Sequence, residues 1–175
     1  MNSTPKQIIL IRHGEKPGDP ALDSEADGIT LSTKGFERAG ALAPFLWASF
    51  GDPDFLFATQ ASKHSCRPIQ TITPLATALG RNINCDYADE AYAALAARIF
   101  GDVQYVGKLV LICWHHRKIP ELTNAMGGAP PSLKWPPAAF DRVWQLPYPD
   151  TAGARTGALP VRNLPRMLLY GDSAA

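Results

Sequence analysis

Two short segments of the chain, residues 7–11 and Leu109–Trp114, are apolar at almost every position. Neither segment shows the alternation of polar and apolar residues that a strand with one solvent-facing side requires. Continuous apolar runs of this length are typical of strands that lie in a parallel sheet and are buried on both faces, so helices must cover them. The chain is therefore predicted to have an α/β fold.

Helical periodicity fills the intervals between such runs. A first helix is predicted to begin at Ser32 or Thr33, either of which can cap it. Its apolar positions recur at helical spacing: Phe36, Ala39, Leu42, Ala43 and Leu46. A second helix is predicted to begin near Pro68, which suits a first helical turn, and to end before Gly80. Pro74 is expected to interrupt it, because proline removes a helical hydrogen bond.

The other predicted elements are shorter. Further strands are predicted at Phe55–Ala58, near Ile83 and at 140–146. Further helices are predicted at 89–99 and 119–126, and a last short element at 159–169. Residues 12–27 and 127–137 are predicted to form loops, since both are rich in glycine and proline.

The sequence contains no internal repeat and no linker long enough to divide it. Residues 1–175 are therefore predicted to form a single domain. Strands that alternate with helices predict a three-layer sandwich, with a mostly parallel central sheet and helices on both faces.

Composition and charge exclude several classes of partner. The formal net charge of +1 argues against binding nucleic acid through global electrostatics. The apolar run near the N-terminus, residues 8–11, is too short for a signal-peptide core or a membrane span. Cys66, Cys85 and Cys113 include no CxxC pair, so neither a disulfide framework nor a zinc module is indicated. We expect a cytoplasmic protein that binds neither membrane nor nucleic acid and needs no cofactor.

Histidine follows both of the apolar runs. In sheets of the predicted kind, ligands bind outside the carboxyl ends of the strands. The first run leads into Arg12, His13 and Gly14, and the second into His115 and His116. These residues are the candidates for a functional site.

Four segments resemble the signature of one family. Residues 12–17 read RHGEKP, residues 31–39 read LSTKGFERA, residues 67–71 read RPIQT, and residues 114–116 read WHH. In this order they resemble the histidine phosphatase superfamily, also called phosphoglycerate mutase-like, and the likeness runs from about residue 7 to about residue 126. The resemblance implies the phosphoglycerate mutase-like fold. Within this superfamily, the sequence most resembles a group of small bacterial proteins that are similar to phosphohistidine phosphatases.

The resemblance also implies a catalytic chemistry. His13 is expected to attack phosphorus and form a covalent phosphohistidine, which divides a difficult hydrolysis into two easier steps. Arg12 and Arg67 are expected to hold the phosphoryl oxygens, because a guanidinium gives paired, permanently charged hydrogen bonds. A second, protonated histidine is expected to bind another oxygen. No metal ion is expected, since these cations supply the positive charge.

Some assignments stay open at this stage. Counting back from Ile119, some relatives place the second histidine at the position of His115. Others resemble a Trp-Glu-His pattern, which selects His116. Because Trp114 is present, we favour His116 as the catalytic and phosphate-binding residue and expect His115 to face outward. Lys16 is a further candidate for phosphate binding.

Two more assignments concern Glu90 and Arg38. Glu90 falls near the position where mutase-like members carry a proton donor, so it is a candidate general acid. Arg38 is expected to be structural. The sequence departs from the family pattern at Arg117 and Lys118, which are bulkier and more basic than the residues often found there.

The first functional hypothesis is a metal-independent phosphatase. Its substrate would be a phosphorylated small molecule or phosphoprotein, hydrolysed at a phosphomonoester or phosphohistidine with release of inorganic phosphate. The alternative is a non-catalytic phosphate-binding module, an inactive homologue of such a phosphatase. A phosphomutase is disfavoured because the chain is short and lacks obvious insertions that would enclose a substrate.

Overall fold

The computed structural model describes residues 4–18, 28–149 and 157–172. Eight strands lie in these ranges: β1 Gln7–Arg12, β2 Phe55–Ala58, β3 Ile83–Asn84, β4 Leu109–Trp114, β5 Gly128–Ala129, β6 Arg142–Pro147, β7 Leu159–Pro160 and β8 Arg162–Pro165. The helices are α1 Thr33–Phe50, α2 Arg67–Leu79, α3 Tyr92–Gly101 and α4 Ile119–Ala125. Among the described residues, no helix combines the length and the apolar character that crossing a membrane requires.

The main sheet has six strands in the order β3-β2-β4-β1-β6-β8. The pairs β3–β2, β2–β4 and β4–β1 are parallel, whereas β6 runs antiparallel to both β1 and β8. A separate parallel pair joins β5 to β7. The predicted mostly parallel sheet is confirmed.

Successive residues of β1 face opposite sides of the sheet, as a strand requires. Ile8 and Leu10 pack in the core that includes residues of α3 and α4. Ile9 and Ile11 pack in a second core with residues of α1 and α2. Because both faces are covered by helices, the predicted three-layer sandwich is confirmed.

The helix ends follow from local chemistry. Ser32 caps α1, since its hydroxyl accepts a hydrogen bond from the backbone N–H of Gly35 at 3.1 Å. Pro68 lies in the first turn of α2, and Gly80 ends that helix in the left-handed conformation at φ 61°. The expected interruption at Pro74 is wrong, because α2 continues through this proline to Leu79.

Other predicted boundaries differ from the structure. Strand β1 continues through Arg12, which was assigned to the following loop, because its pairing with β4 extends to Trp114. The helix predicted at 89–99 divides into a 3₁₀ turn, Asp89–Ala91, and α3. The predicted element at 159–169 is two strands, β7 and β8, each paired with a distant segment. Residues 19–27 of the predicted first loop lie outside the described residues.

Two glycines allow the loop after β1 to lie directly against the start of α1. A Cβ atom on Gly35 would lie 2.4 Å from the backbone oxygen of Glu15. A Cβ atom on Gly14 would lie 2.9 Å from the backbone oxygen of Gly35. The N–H of Ser32 donates to that Glu15 oxygen at 3.0 Å, which fastens the two segments together.

This close approach predicts opposite effects for two substitutions in α1. Gly35→Ala is expected to lower the free energy of unfolding by roughly 1–3 kcal/mol, because the added methyl overpacks a backbone contact. Gly40→Ala should raise it by roughly 0.5–1 kcal/mol, because the position is open and alanine is the better helix former. Urea unfolding of both variants measures the difference. Equal effects would contradict the close-packing argument.

Candidate active site

A cavity of about 460 Å³ opens beside the carboxyl ends of β1 and β4. The register of these strands pairs Arg12 with Trp114, so the residues that follow them emerge side by side. The first turn of α2 and the 3₁₀ turn at Asp89–Ala91 supply the other walls. Its lining comprises Arg12, His13, Lys16, Ser62, His64, Ser65, Arg67, Asp89, His115, His116 and Arg117. All the candidate residues from the sequence except Glu90 are therefore brought together here.

His13 lies on the floor of the cavity and is 3% exposed. Its Nδ1 lies 2.6 Å from the backbone oxygen of Gly14. A carbonyl oxygen only accepts, so Nδ1 carries the proton and Nε2 of the neutral ring keeps its lone pair. Burial lowers the pKa of His13 well below its usual value; the Gly14 carbonyl opposes this, while Arg12 and His115 add to it. The ring is therefore neutral at pH 7.

Arg12 lies beside His13 and is also buried. Its guanidinium carbon is 3.8 Å from the centre of the Phe140 ring, and NH1 donates to the backbone oxygen of Pro137. Burial lowers the pKa of Arg12 to about 10, with Glu15 opposing the shift. The side chain is still a cation at neutral pH, and the segment around Phe140 fixes its position.

Arg67 begins α2, and its NH1 donates to the backbone oxygen of Gly28 at 2.5 Å and to that of Ile29 at 3.3 Å. Gln70 and Thr71, the last two residues of the same motif, each accept a different hydrogen bond. The Thr71 hydroxyl accepts from the N–H of Gly14 at 2.9 Å. The Gln70 side chain accepts from the N–H of Leu31 at 2.9 Å. These two bonds join α2 to Gly14, in the loop that carries His13, and to Leu31, just before α1.

The structure places both tandem histidines in the cavity wall. Their chain turns immediately after β4, where the N–H of Lys118 donates to the backbone oxygen of His115. The expectation that His115 faces outward is wrong, because its ring centre lies 5.3 Å from that of His13 in an edge-to-face arrangement. Since the strand ends at Trp114, its alternation of faces does not apply to these two residues.

Neither tandem histidine carries a proton at neutral pH in this structure. Burial lowers the pKa of His115 to about 4, with Arg67 as the next cause. Burial likewise lowers the pKa of His116 to about 4, followed by Arg12, Arg117 and Lys16. The expected protonated second histidine is thus not favoured by the site itself, because its neighbours are cations. Nδ1 of His116 is buried and has no hydrogen-bond partner among the described residues.

The carboxylate of the cavity wall is Asp89, not Glu90. Glu90 is exposed, forms an ion pair with Lys118 at 2.9 Å and is not among the residues that line this cavity. The backbone oxygen of Asp89 accepts from the Trp114 indole at 3.2 Å, which fixes its turn against β4. Burial raises the pKa of Asp89 to about 6, with Glu90 adding to the shift. The sequence spacing indicated the turn at Asp89–Ala91, but the carboxylate of this turn that lines the cavity is that of Asp89.

Buried ion pairs support the loop that carries His13 from behind. Arg38 donates to both carboxylate oxygens of Glu15 and to both of Asp172. Burial would raise the pKa of Asp172, but the bonds from Arg38 and from two backbone N–H groups outweigh it and lower it to about 2. Arg38 is structural in these contacts, as the sequence analysis expected.

Arg166 is a further supporting residue that sequence analysis missed. It is fully buried, and NH2 donates to the backbone oxygens of Arg12, at 3.4 Å, and of Phe140. Burial lowers its pKa to about 10, with Arg38 as the next cause. Nothing in the local sequence pattern distinguishes Arg166 or Phe140 from ordinary residues near a strand.

In the part of the chain that the structure describes, no group of three or more His, Cys, Asp or Glu side chains is placed to hold a metal ion. The metal-independent reaction stays a prediction.

Comparisons with known proteins give a match at the level of structure. Neither a protein-family model nor a curated protein sequence matches the chain. Solved structures do match. One is the putative phosphohistidine phosphatase SixA from Agrobacterium tumefaciens, with a TM-score of 0.54, 22% identity, and coverage of 82% of this chain and 91% of that one.

Two further solved structures show the same likeness. The protein histidine phosphatase SixA complexed with tungstate has a TM-score of 0.53, 16% identity, and coverage of 80% of this chain and 86% of that one. A putative alpha-ribazole-5'-P phosphatase from Escherichia coli K-12 has a TM-score of 0.58, 13% identity, and coverage of 93% and 97%. The chain therefore has the fold that these structures share, the phosphoglycerate mutase-like fold, which the four sequence motifs implied.

Proposed function

We propose that this protein is a phosphatase that forms a covalent phosphohistidine on His13. The observation that carries the proposal is the tautomer of His13: Nδ1 donates to the Gly14 carbonyl, which leaves Nε2 unprotonated. A nucleophilic imidazole must be neutral, and burial among cations keeps it so. The same cavity holds the positive groups that a transferring phosphoryl group needs.

Arg12 and Arg67 would hold the phosphoryl oxygens. Nε of Arg12 is buried without a hydrogen-bond partner among the described residues, as is Nδ1 of His116. Buried donors of this kind are costly unless a ligand pairs with them. A bound phosphate dianion would also raise the pKa of the nearby histidines, because an opposite charge favours their protonated form. Substrate binding itself would then supply the charged second histidine.

Between the tandem histidines, the geometry supports His115 as the phosphate ligand next to the nucleophile. Its ring contacts that of His13. The charges that lower the pKa of His116 are those of the buried Arg12 and of the exposed Arg117 and Lys16. This assignment reverses the preference for His116 that Trp114 suggested.

Asp89 would be the general acid that protonates the leaving group. It lines the cavity, and a pKa of about 6 keeps part of its population protonated near neutral pH. A candidate acid in the cavity favours turnover over the alternative of a non-catalytic phosphate-binding module. With an acid available, alkyl phosphomonoesters become substrates as well as phosphohistidine, whose leaving group needs less help.

The similar solved structures agree with this proposal in kind. Two of them are phosphatases of phosphohistidine by name, and one of these holds tungstate, a tetrahedral oxyanion. We infer a phosphorylated small molecule or phosphoprotein as substrate and inorganic phosphate as product. The arginines and histidines of the cavity supply the positive charge, so no metal ion is required.

The proposal is tested by trapping the intermediate. Wild-type protein mixed with p-nitrophenyl phosphate and quenched in alkali should carry one acid-labile phosphate on His13, found by mass spectrometry. His13→Ala should show neither the adduct nor release of nitrophenol, while a chelator should leave wild-type turnover unchanged. Phosphate binding without turnover in the wild type would instead establish the non-catalytic alternative.

Substitutions of His115 and His116 are expected to lower kcat by different amounts. His115→Ala should lower kcat for p-nitrophenyl phosphate roughly 100- to 1,000-fold, by analogy with the loss of one donor from an oxyanion hole. His116→Ala should lower it only a few-fold, because the ring contact with His13 is made by His115. Measuring both variants on the same substrate decides the matter. A larger loss for His116→Ala would restore the family-based assignment.

The pKa of Asp89 predicts a dependence on the leaving group. The carboxyl is protonated below about pH 6 and loses its proton above it, so hydrolysis of an alkyl phosphate should decline as pH rises through about 6. Hydrolysis of p-nitrophenyl phosphate, whose leaving group needs no proton, should not decline there. Asp89→Asn should lower alkyl phosphate turnover roughly 100-fold or more. Glu90→Gln is the matched control, and it should retain most activity on both substrates.

A further inference from the structure

The cavity carries more positive charge than one phosphoryl group needs. Its floor consists of buried or half-buried residues, including Arg12, His13 and Arg67. Above the floor lies a set of exposed side chains, here called the basic rim: Lys16, His64 and Arg117. The rim is distinct from the floor in exposure, although each rim residue lies within three residues of a buried or half-buried residue of the lining.

The charges of the rim have no carboxylate partner among the described residues. Among residues 4–18, 28–149 and 157–172, neither Lys16 nor Arg117 has a carboxylate within ion-pair distance. Lys118, one residue beyond Arg117, is paired with Glu90. The lining of the cavity includes a single carboxylate among the described residues, that of Asp89.

Lys16 and Arg117 also act on the same part of the cavity. After burial and Arg12, they are the groups that lower the pKa of His116. Both side chains also line the same cavity as the His116 ring. Two cations in this position repel each other, so an anion between them would be stabilised by both.

The volume of the cavity is large enough for a small ligand. About 460 Å³ lies within the range of sites that enclose a whole small ligand. The hydroxyls of Ser62 and Ser65 line it as well and can donate to an anion.

We propose that the basic rim is a subsite for a second phosphate group, so that the preferred substrate is a small bisphosphorylated molecule. This inference rests on the proposed function, in which the floor binds the phosphoryl group that is transferred. The rim binds the phosphate that is kept, through Lys16 and Arg117. It sets which ester is chosen and takes no part in bond breaking.

A matched pair of substrates tests the subsite. Propyl phosphate and 1,3-propanediol bisphosphate have the same leaving-group chemistry and differ in the second phosphate, and the ethane and butane homologues vary the span. Wild type should show a kcat/KM roughly tenfold higher for the best bisphosphate. Arg117→Gln should abolish most of that preference while changing propyl phosphate turnover less than twofold, and Arg117→Lys should restore part of it.

A control separates the subsite from general charge. Lys63 lies between the rim-side residues Ser62 and His64 but does not line the cavity. Lys63→Gln removes the same charge as Arg117→Gln and should leave the preference unchanged. An equal loss in both variants, or no preference in wild type for any span, would overturn the subsite.

Binding measurements keep the two proposals distinguishable. Propylphosphonate and 1,3-propylene bisphosphonate cannot be hydrolysed, so calorimetry on the wild-type protein reports binding alone. Tighter binding of the bisphosphonate, lost in Arg117→Gln, supports the subsite even if no ester is hydrolysed, in which case the proposed phosphatase fails alone. Hydrolysis of both esters without a difference in binding overturns the subsite and leaves the phosphatase intact.

Discussion

The parallel pairing of β1 with β4 is the constraint on which the site depends. In this register Arg12 pairs with Trp114, so His13 and His115 leave the sheet next to each other. A parallel sheet must be buried on both faces, and the two cores of α1 with α2 and of α3 with α4 meet that requirement. The helices that cover the sheet then bring Arg67 and Asp89 to the same edge, because each follows a strand of that sheet along the chain.

Crowding cations around His13 has an electrostatic cost that the surrounding structure offsets. Arg12 is held by backbone oxygens and the Phe140 ring, and Arg38 by two carboxylates. Arg166 donates to the same Phe140 carbonyl and to that of Arg12, so it fixes the backbone instead of neutralising a charge. These contacts hold the donors in place, so the site is pre-organised to bind an anion.

Much of this arrangement could be predicted from the sequence, and the failures have a common cause. The continuous apolar runs predicted β1 and β4, and the motifs predicted which residues meet at their ends. The distinction between Asp89 and Glu90 could not be predicted, because adjacent residues in a short turn differ only in which one faces the cavity. The contributions of Phe140, Arg166 and Asp172 depend on pairing between distant segments, and local patterns contain no information on that pairing.

The two proposals assign bond breaking to the buried part of the cavity and substrate selection to its exposed rim. In the less exposed part of the cavity, burial keeps His13 neutral and raises the pKa of Asp89 to about 6, so in the proposed reaction the nucleophile and the acid would hold the protonation states they need at the same pH. These shifts exist because solvent is excluded. At the rim, Lys16 and Arg117 are exposed, so solvent and salt screen their charges more than those of the buried groups. If both proposals hold, substitutions of the buried lining residues would alter the reaction itself, whereas substitutions at the rim would alter which phosphate ester is brought to it.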